Sequence, residues 1–146
     1  MTTVITSVHT LVYSDDATAT RAFFRDVLHW PFVSEGARGD AGVGGAGTGG
    51  VDPAEWLIFR TGPSELGVHP TFEIYEGREW QAPRHHSIAI MCDDLEATMS
   101  ELAARGAKFA GEAEEMGFGR GVLLRVPGAD DMLLYEPRHA TAYDLS

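Results

Sequence analysis

The residues able to do chemistry are few and scattered. Cys92 is the single cysteine, so no internal disulfide can form. It ends an apolar run, residues 87–92 (SIAIMC), directly before Asp93 and Asp94. A helix starting there would lower its pKa. No histidine dyad is visible beside it, and a cysteine in an apolar strand reads as core. The pairs Asp15-Asp16 and Asp93-Asp94 each precede a helical pattern, which makes them caps rather than paired catalytic carboxylates. There is no G-x-S-x-G elbow for a serine nucleophile. What remains is histidine and glutamate on strand-like segments. In residues 64–69 (SELGVH), alternation puts Glu65, Gly67 and His69 on one face, where either Glu65 or His69 can meet a ligand. The aromatics Trp56, Phe59, Phe72, Tyr75, Trp80, Phe118 and Tyr135 lie on or beside strand-like runs and can line a pocket for a flat or apolar compound.

These side chains need a scaffold. Residues 4–13 are rich in β-branched types and read as a strand. Residues 17–28 read as a capped helix, with Phe23/Val27 and Phe24/Leu28 as apolar i,i+4 pairs. An extended run follows at 30–33. Residues 36–50 hold eight glycines with no helix pattern after them, which predicts a mobile surface loop rather than a phosphate loop. Residues 56–60 and 65–69 are short strand candidates, and 70–84 a connector. After the strand at 87–92, Asp93-Asp94 caps a helix, with Glu96 completing a capping box. Leu95, Met99, Leu102 and Ala103 form its apolar stripe. Gly106 sits at the C′ position. Strands are expected at 107–110, 121–126 and 131–136, the last two joined by the turn Pro127-Gly128-Ala129-Asp130.

Composition sets the outer bounds. The 146 residues, 44% hydrophobic and 23% charged, fit one globular domain. No apolar run approaches the roughly 20 residues of a spanning helix. The net charge of −11 opposes phosphate backbones and anionic lipid, so neither nucleic acid nor a membrane is an expected partner. The N-terminal segment lacks a basic region followed by an apolar core, so no signal peptide is expected, and the location is expected to be cytoplasmic.

The two halves also match each other. Shifted by 78 residues, Asp15-Asp16 falls on Asp93-Asp94, Ala19-Thr20 on Ala97-Thr98 and Phe24 on Leu102. Each half then reads strand, helix and further strands. With Val8-His9-Thr10-Leu11 before the first helix, residues 91–98 (MCDDLEAT) in the second half, and the closing Val126-Pro127-Gly128 and Leu134-Tyr135-Glu136-Pro137, the chain resembles the vicinal oxygen chelate superfamily over residues 5–138. That superfamily includes glyoxalase I, bleomycin-resistance proteins and extradiol dioxygenases.

The resemblance implies an α+β fold, two βαβββ modules forming a curved mixed sheet around a cup-shaped cavity. Module one spans about 4–70, the connector 70–84 and module two 85–138, with a short C-terminal tail, all within a single domain 1–146. It also implies a homodimer and, in the metal enzymes, one divalent ion (Zn, Mn, Fe or Ni) held by His or Gln and Glu. Carried over residue by residue, His9 matches the first ligand and Glu65 the last of module one. His86 matches only if the strand shifts by one residue, because the repeat puts Ser87 opposite His9. Glu136 faces the other way in the natural register. The metal set is therefore His9, Glu65 and His86 at most. The resemblance also sets residues 116–121, a flexible turn, at the cavity mouth, where Arg120 can pair with a ligand carboxylate. Trp56, His69, Phe118, Arg120 and Tyr135 are the expected ligand-binding residues. The expected function is binding of a small organic molecule with a degraded metal site. The alternative is a divalent-metal-dependent lyase, isomerase or dioxygenase, and a third reading is a dimeric interaction module with a vestigial pocket.

Overall fold

The structure, a computed structural model, describes residues 6–35, 41–44, 52–53 and 56–145. It is α+β. Helix α1 (Ala17–Asp26) and helix α2 (Leu95–Ala104) have ten residues each and are displaced by the 78 residues of the repeat. Their caps follow the same rule. Asp16 accepts from the Ala19 amide and Asp94 from the Ala97 amide, each at 3.0 Å. Each carboxylate thereby satisfies an amide that the first helical turn leaves without a partner. The capping box expected from Asp93 and Glu96 is corrected: Asp94 is the cap, and Glu96 turns to Arg120. Gly106 closes α2 with φ +94, a conformation glycine adopts without a Cβ penalty.

After α1 come strands β1 (Phe32–Glu35), β2 (Ala41–Gly44) and β3 (Leu57–Phe59), paired antiparallel in the order β2-β1-β3. The expectation of a loop across 36–50 is corrected at 41–44, which pair with β1, while 36–40 and 45–50 lie outside the described residues. The connector contains a two-stranded hairpin, β4 (Phe72–Tyr75) and β5 (Arg78–Gln81). The second half reads β6 (Ala89–Met91), α2, β7 (Phe109–Met116), β8 (Gly119–Leu124) and β9 (Met132–Pro137). Its four-stranded sheet has the order β6-β9-β8-β7, with β6 parallel to β9 and the other pairs antiparallel, hence mixed. The flexible turn expected at 116–121 is corrected to a tight turn at Gly117-Phe118, with Arg120 inside β8.

Two strand expectations are not realised. Of the strand expected at 4–13, residues 6–13 carry no regular element and 4–5 lie outside the described residues; residues 65–69 carry none either, and Val8, Leu11, Tyr13, Leu66 and Val68 are exposed. Strand propensity expresses fit to a paired, half-buried surface, and neither segment has a pairing partner among the described residues.

One core joins the halves. Phe23 and Phe24 of α1, Leu95 and Leu102 of α2, and Val122, Leu124, Met132 and Leu134 of the sheet form a single buried cluster. Each such side chain contributes about 1.5–3 kcal/mol relative to exposure. This cluster fixes the sheet's faces. Val122, Leu124, Met132 and Leu134 look toward the helices, so alternation turns Leu123, Leu133 and Tyr135 to the other side.

Candidate functional site

Tyr135 is the centre of that second face. It lies opposite Gly121 on β8, and its side chain also reaches over Gly119. A Cβ at Gly121 would stand 3.0 Å from Leu133 Cδ1 and 3.1 Å from Tyr135 Cβ, so the two glycines give the room that the Tyr135 and Leu133 side chains occupy. The Phe118 ring meets Tyr135 edge-on at 5.3 Å. Leu123 and Phe118 remain 43% and 44% exposed, so this face presents apolar surface to solvent beside a polar end.

The polar end is built by three residues. The Tyr135 hydroxyl lies 2.9 Å from His139 Nε2. His139 Nδ1 lies 2.8 Å from the Ala140 carbonyl oxygen, which can only accept, so Nδ1 carries the proton. In the neutral ring Nε2 then accepts from the tyrosine hydroxyl. Glu65 Oε1 stands 3.7 Å from the same Nε2, and Glu65 Oε2 accepts from the Ala142 amide at 2.6 Å. Burial first, and the Glu65 charge second, push the Tyr135 phenol above the ordinary tyrosine range. His139 carried no sequence signal, because it lies in the tail beyond the last strand.

The remaining expected ligand-binding residues lie elsewhere. Arg120 is cross-strand from Glu136, on the helix side of the sheet. Its guanidinium donates to Glu96 of α2 at 2.7 Å and stands 3.6 Å from Glu115, and these carboxylates raise its pKa further. Glu136 accepts from the Leu95 amide at the start of α2. Trp56 carries the Arg21 guanidinium 5.3 Å from its ring centre. The His69 ring lies 4.7 Å from that of Trp80, tilted by 53°, and has Nε2 3.5 Å from Glu73. With Tyr75 and Arg78 they line a shallow cavity of about 260 Å³ on one face of the β4–β5 hairpin. A depression of about 520 Å³, lined by Phe72, Gln81 and neighbours, lies against the other face.

His9 and His86 are exposed and outside any strand. Among the described residues, no three His, Cys, Asp or Glu side chains are grouped so that they could hold one metal ion. His9, Glu65 and His86 are thus not brought together, and Glu65 is engaged by the tail. Cys92 is half-buried, with its thiol 3.6 Å from the Tyr135 carbonyl oxygen. Burial, then the nearby carboxylates of Glu136, Asp93 and Asp94, push its pKa up against a lowering hydrogen bond from Thr98. No helix among the described residues is long and apolar enough to cross a membrane.

Residues 6–137 match the sequence profile of the Glyoxalase/Bleomycin resistance protein/Dioxygenase superfamily. A solved member of that superfamily from Sphaerobacter thermophilus DSM 20745 is similar in fold, with a TM-score of 0.51 and 21% identity, over 92% of this chain and 99% of the other. TnmS3, an antibiotic binding protein from Streptomyces sp. CB03234, aligns with a TM-score of 0.49 and 17% identity, over 93% and 99% of the two chains. A glyoxylase/bleomycin resistance protein/dioxygenase domain from Frankia sp. EAN1pec gives 0.45 and 17%, over 93% and 100%. No curated protein matches the chain significantly.

Proposed function

The chain belongs to the glyoxalase/bleomycin resistance protein/dioxygenase superfamily, and from that premise we propose that it binds a small, flat, largely apolar organic molecule without a divalent ion. The binding surface is the sheet face carrying Leu123, Leu133, Tyr135 and Phe118. One observation carries this reading: Leu123 and Phe118 stand in solvent on the face turned away from the helices, beside a Tyr135 ring seated over Gly119 and Gly121. Apolar side chains left exposed beside a few placed polar groups are the usual make-up of a ligand surface. The net charge of −11 favours a cationic ligand over an anionic one. Binding without metal is supported by the engagement of Glu65 with the tail and by the dispersal of His9 and His86.

We also propose that the protein acts in the cytoplasm as a homodimer. The reading is supported by the exposed Val8, Leu11, Tyr13, Leu66 and Val68, apolar side chains that a second copy would cover. Sedimentation equilibrium tests it, and a monomer at tens of micromolar would refute it.

Titration with Nile red, a neutral, flat, apolar dye, tests the binding surface. Saturable fluorescence enhancement is expected, weakened at least tenfold in Leu123→Lys. Ile74→Lys, at a position 63% exposed in the separate β4–β5 hairpin, is expected to leave it unchanged. Equal binding by Leu123→Lys and the parent chain would overturn the reading.

A further inference from the structure

We infer that residues 138–145 form a strap, latched by Glu65, that closes over Tyr135 and shuts the polar end of the sheet face. This rests on the binding face proposed above, whose access the strap would regulate.

After β9 the chain has no regular element, yet it is tied down along its length. The Arg138 amide donates to the Phe118 carbonyl at 2.8 Å, and the Arg138 guanidinium pairs with Glu115. This anchors the root of the strap to the β7–β8 turn. Next, His139 takes the Tyr135 hydroxyl at 2.9 Å, and its ring lies 5.9 Å from the Tyr135 ring at an angle of 32°. Further on, the Ala142 amide donates to Glu65 Oε2 at 2.6 Å, and the Leu145 amide closes a turn onto the Ala142 carbonyl at 3.1 Å. Glu65 comes from the other half of the chain, 77 residues away. It is the one group in this set that reaches the strap from outside the second half.

The consequence is visible in exposure. Tyr135 is only 8% exposed, although it lies on the face turned away from the helices. Its neighbours on that face, Leu123 and Phe118, keep over two-fifths of theirs. The strap contributes to this cover, with the His139 ring 5.9 Å from the Tyr135 ring and the Phe118 ring at 5.3 Å. The latch is also light. It consists of a few polar contacts, each worth about 0.5–1.5 kcal/mol net, and Tyr143 and Leu145 beyond it remain exposed. A segment held this way opens at far lower cost than the core. A ligand that reaches the Tyr135 hydroxyl must displace His139, and release of Glu65 must precede it.

Two measurements on the full chain test the strap. Hydrogen exchange over residues 139–145 is expected to quicken at least tenfold in Glu65→Ala. Glu65→Gln, which keeps an acceptor for the Ala142 amide, is expected to retain most of the protection. Nitration by tetranitromethane, located by mass spectrometry, reads Tyr135 directly. Its rate relative to the exposed Tyr13 and Tyr75 is expected to be at least fivefold higher in Glu65→Ala than in Glu65→Gln, which also lacks the charge that raises the Tyr135 pKa. Unchanged exchange in Glu65→Ala, or equal nitration of Tyr135 in Glu65→Ala and Glu65→Gln, would overturn the strap, even if Nile red binding stays sensitive to Leu123→Lys. Faster nitration with Nile red binding indifferent to Leu123→Lys would uphold the strap and overturn the binding face instead.

Discussion

The guanidinium of Arg105 donates to the main-chain carbonyl of Val27 at 2.8 Å, across 78 residues, which is the offset of the internal repeat. Val27 and Arg105 are the C-cap residues of α1 and α2. The two copies of one motif therefore meet at equivalent positions, one supplying a carbonyl left over by its helix and the other a cation. A positive charge at a helix C-terminus also opposes the negative end of the helix dipole. Arg105 holds Glu101 with its other terminal nitrogen, which fixes the side chain for this reach.

Removing that contact has a defined cost. Arg105→Ala is expected to lower stability by about 1 kcal/mol, the net worth of one such hydrogen bond at a partly exposed site. Urea unfolding followed by circular dichroism reads it as a lower midpoint at constant slope. Glu101→Ala is expected to cost less than half as much, since it leaves the Val27 contact in place.

The helix caps give a second discrimination. Asp16→Ala and Asp94→Ala are each expected to cost about 1 kcal/mol, because each leaves a first-turn amide without its acceptor. Asp93→Ala is expected to lie within about 0.5 kcal/mol of the parent chain. Asp15 contributes a main-chain bond to Gly128, which alanine retains, so Asp15→Ala is expected to be similarly mild. Equal costs at Asp93 and Asp94 would return the cap to the capping-box register.

Gly119 tests the close packing under Tyr135. A Cβ there would collide with the Glu136 carbonyl oxygen, which belongs to the paired strand and cannot rotate away. Gly119→Ala is expected to destabilise by about 1–3 kcal/mol, the usual cost of overpacking. Gly62→Ala, with nothing within 4 Å of the added Cβ, is expected to be tolerated. Thermal unfolding of the two variants side by side decides it.

The legible parts of the sequence are those governed by nearby residues. Asp16, Asp94 and Gly106 could be assigned to helix ends because capping acts within one turn. The Leu95, Met99 and Leu102 stripe could be assigned because amphipathicity needs only the helix itself. The orientation of Arg120 depended on where β8 begins. Starting at Gly119 pairs Arg120 with Glu136 and turns both toward α2, where Glu96 and the Leu95 amide receive them. His139 escaped because its partners, Tyr135 and Glu65, are brought together only by the fold. Residues 6–13 and 65–69 have strand composition and no strand, because pairing is a property of two segments and composition belongs to one.

Metal titration bears on Glu65. Chelator-stripped protein titrated calorimetrically with Mn(II), Fe(II), Ni(II) and Zn(II) is expected to show no one-site binding at micromolar or tighter affinity. His9→Ala is expected to change nothing. Both follow from the absence, among the described residues, of a three-donor group and from the hold of the Ala142 amide on Glu65. A micromolar site that disappears in His9→Ala would mean that His9 and Glu65 converge in solution.

Cys92 gives a pH dependence with a fixed sign. Burial first, then the neighbouring carboxylates, raise its pKa, so the folded protein holds the thiol proton at pH values where the unfolded chain has begun to lose it. The stabilisation is therefore present in full below the pKa of the unfolded chain and is lost as pH rises through the folded value. The thiolate is the reactive form, so alkylation by iodoacetamide is expected to be slow at pH 8. Its rate is expected to keep rising with pH beyond the ordinary thiol range of about 8.5. In concentrated urea the same plot is expected to level off earlier. Glu136→Gln removes one of the raising charges and is expected to move the folded-state curve to lower pH. A folded-state curve that coincides with the urea curve would show Cys92 to be as solvated as in the unfolded chain.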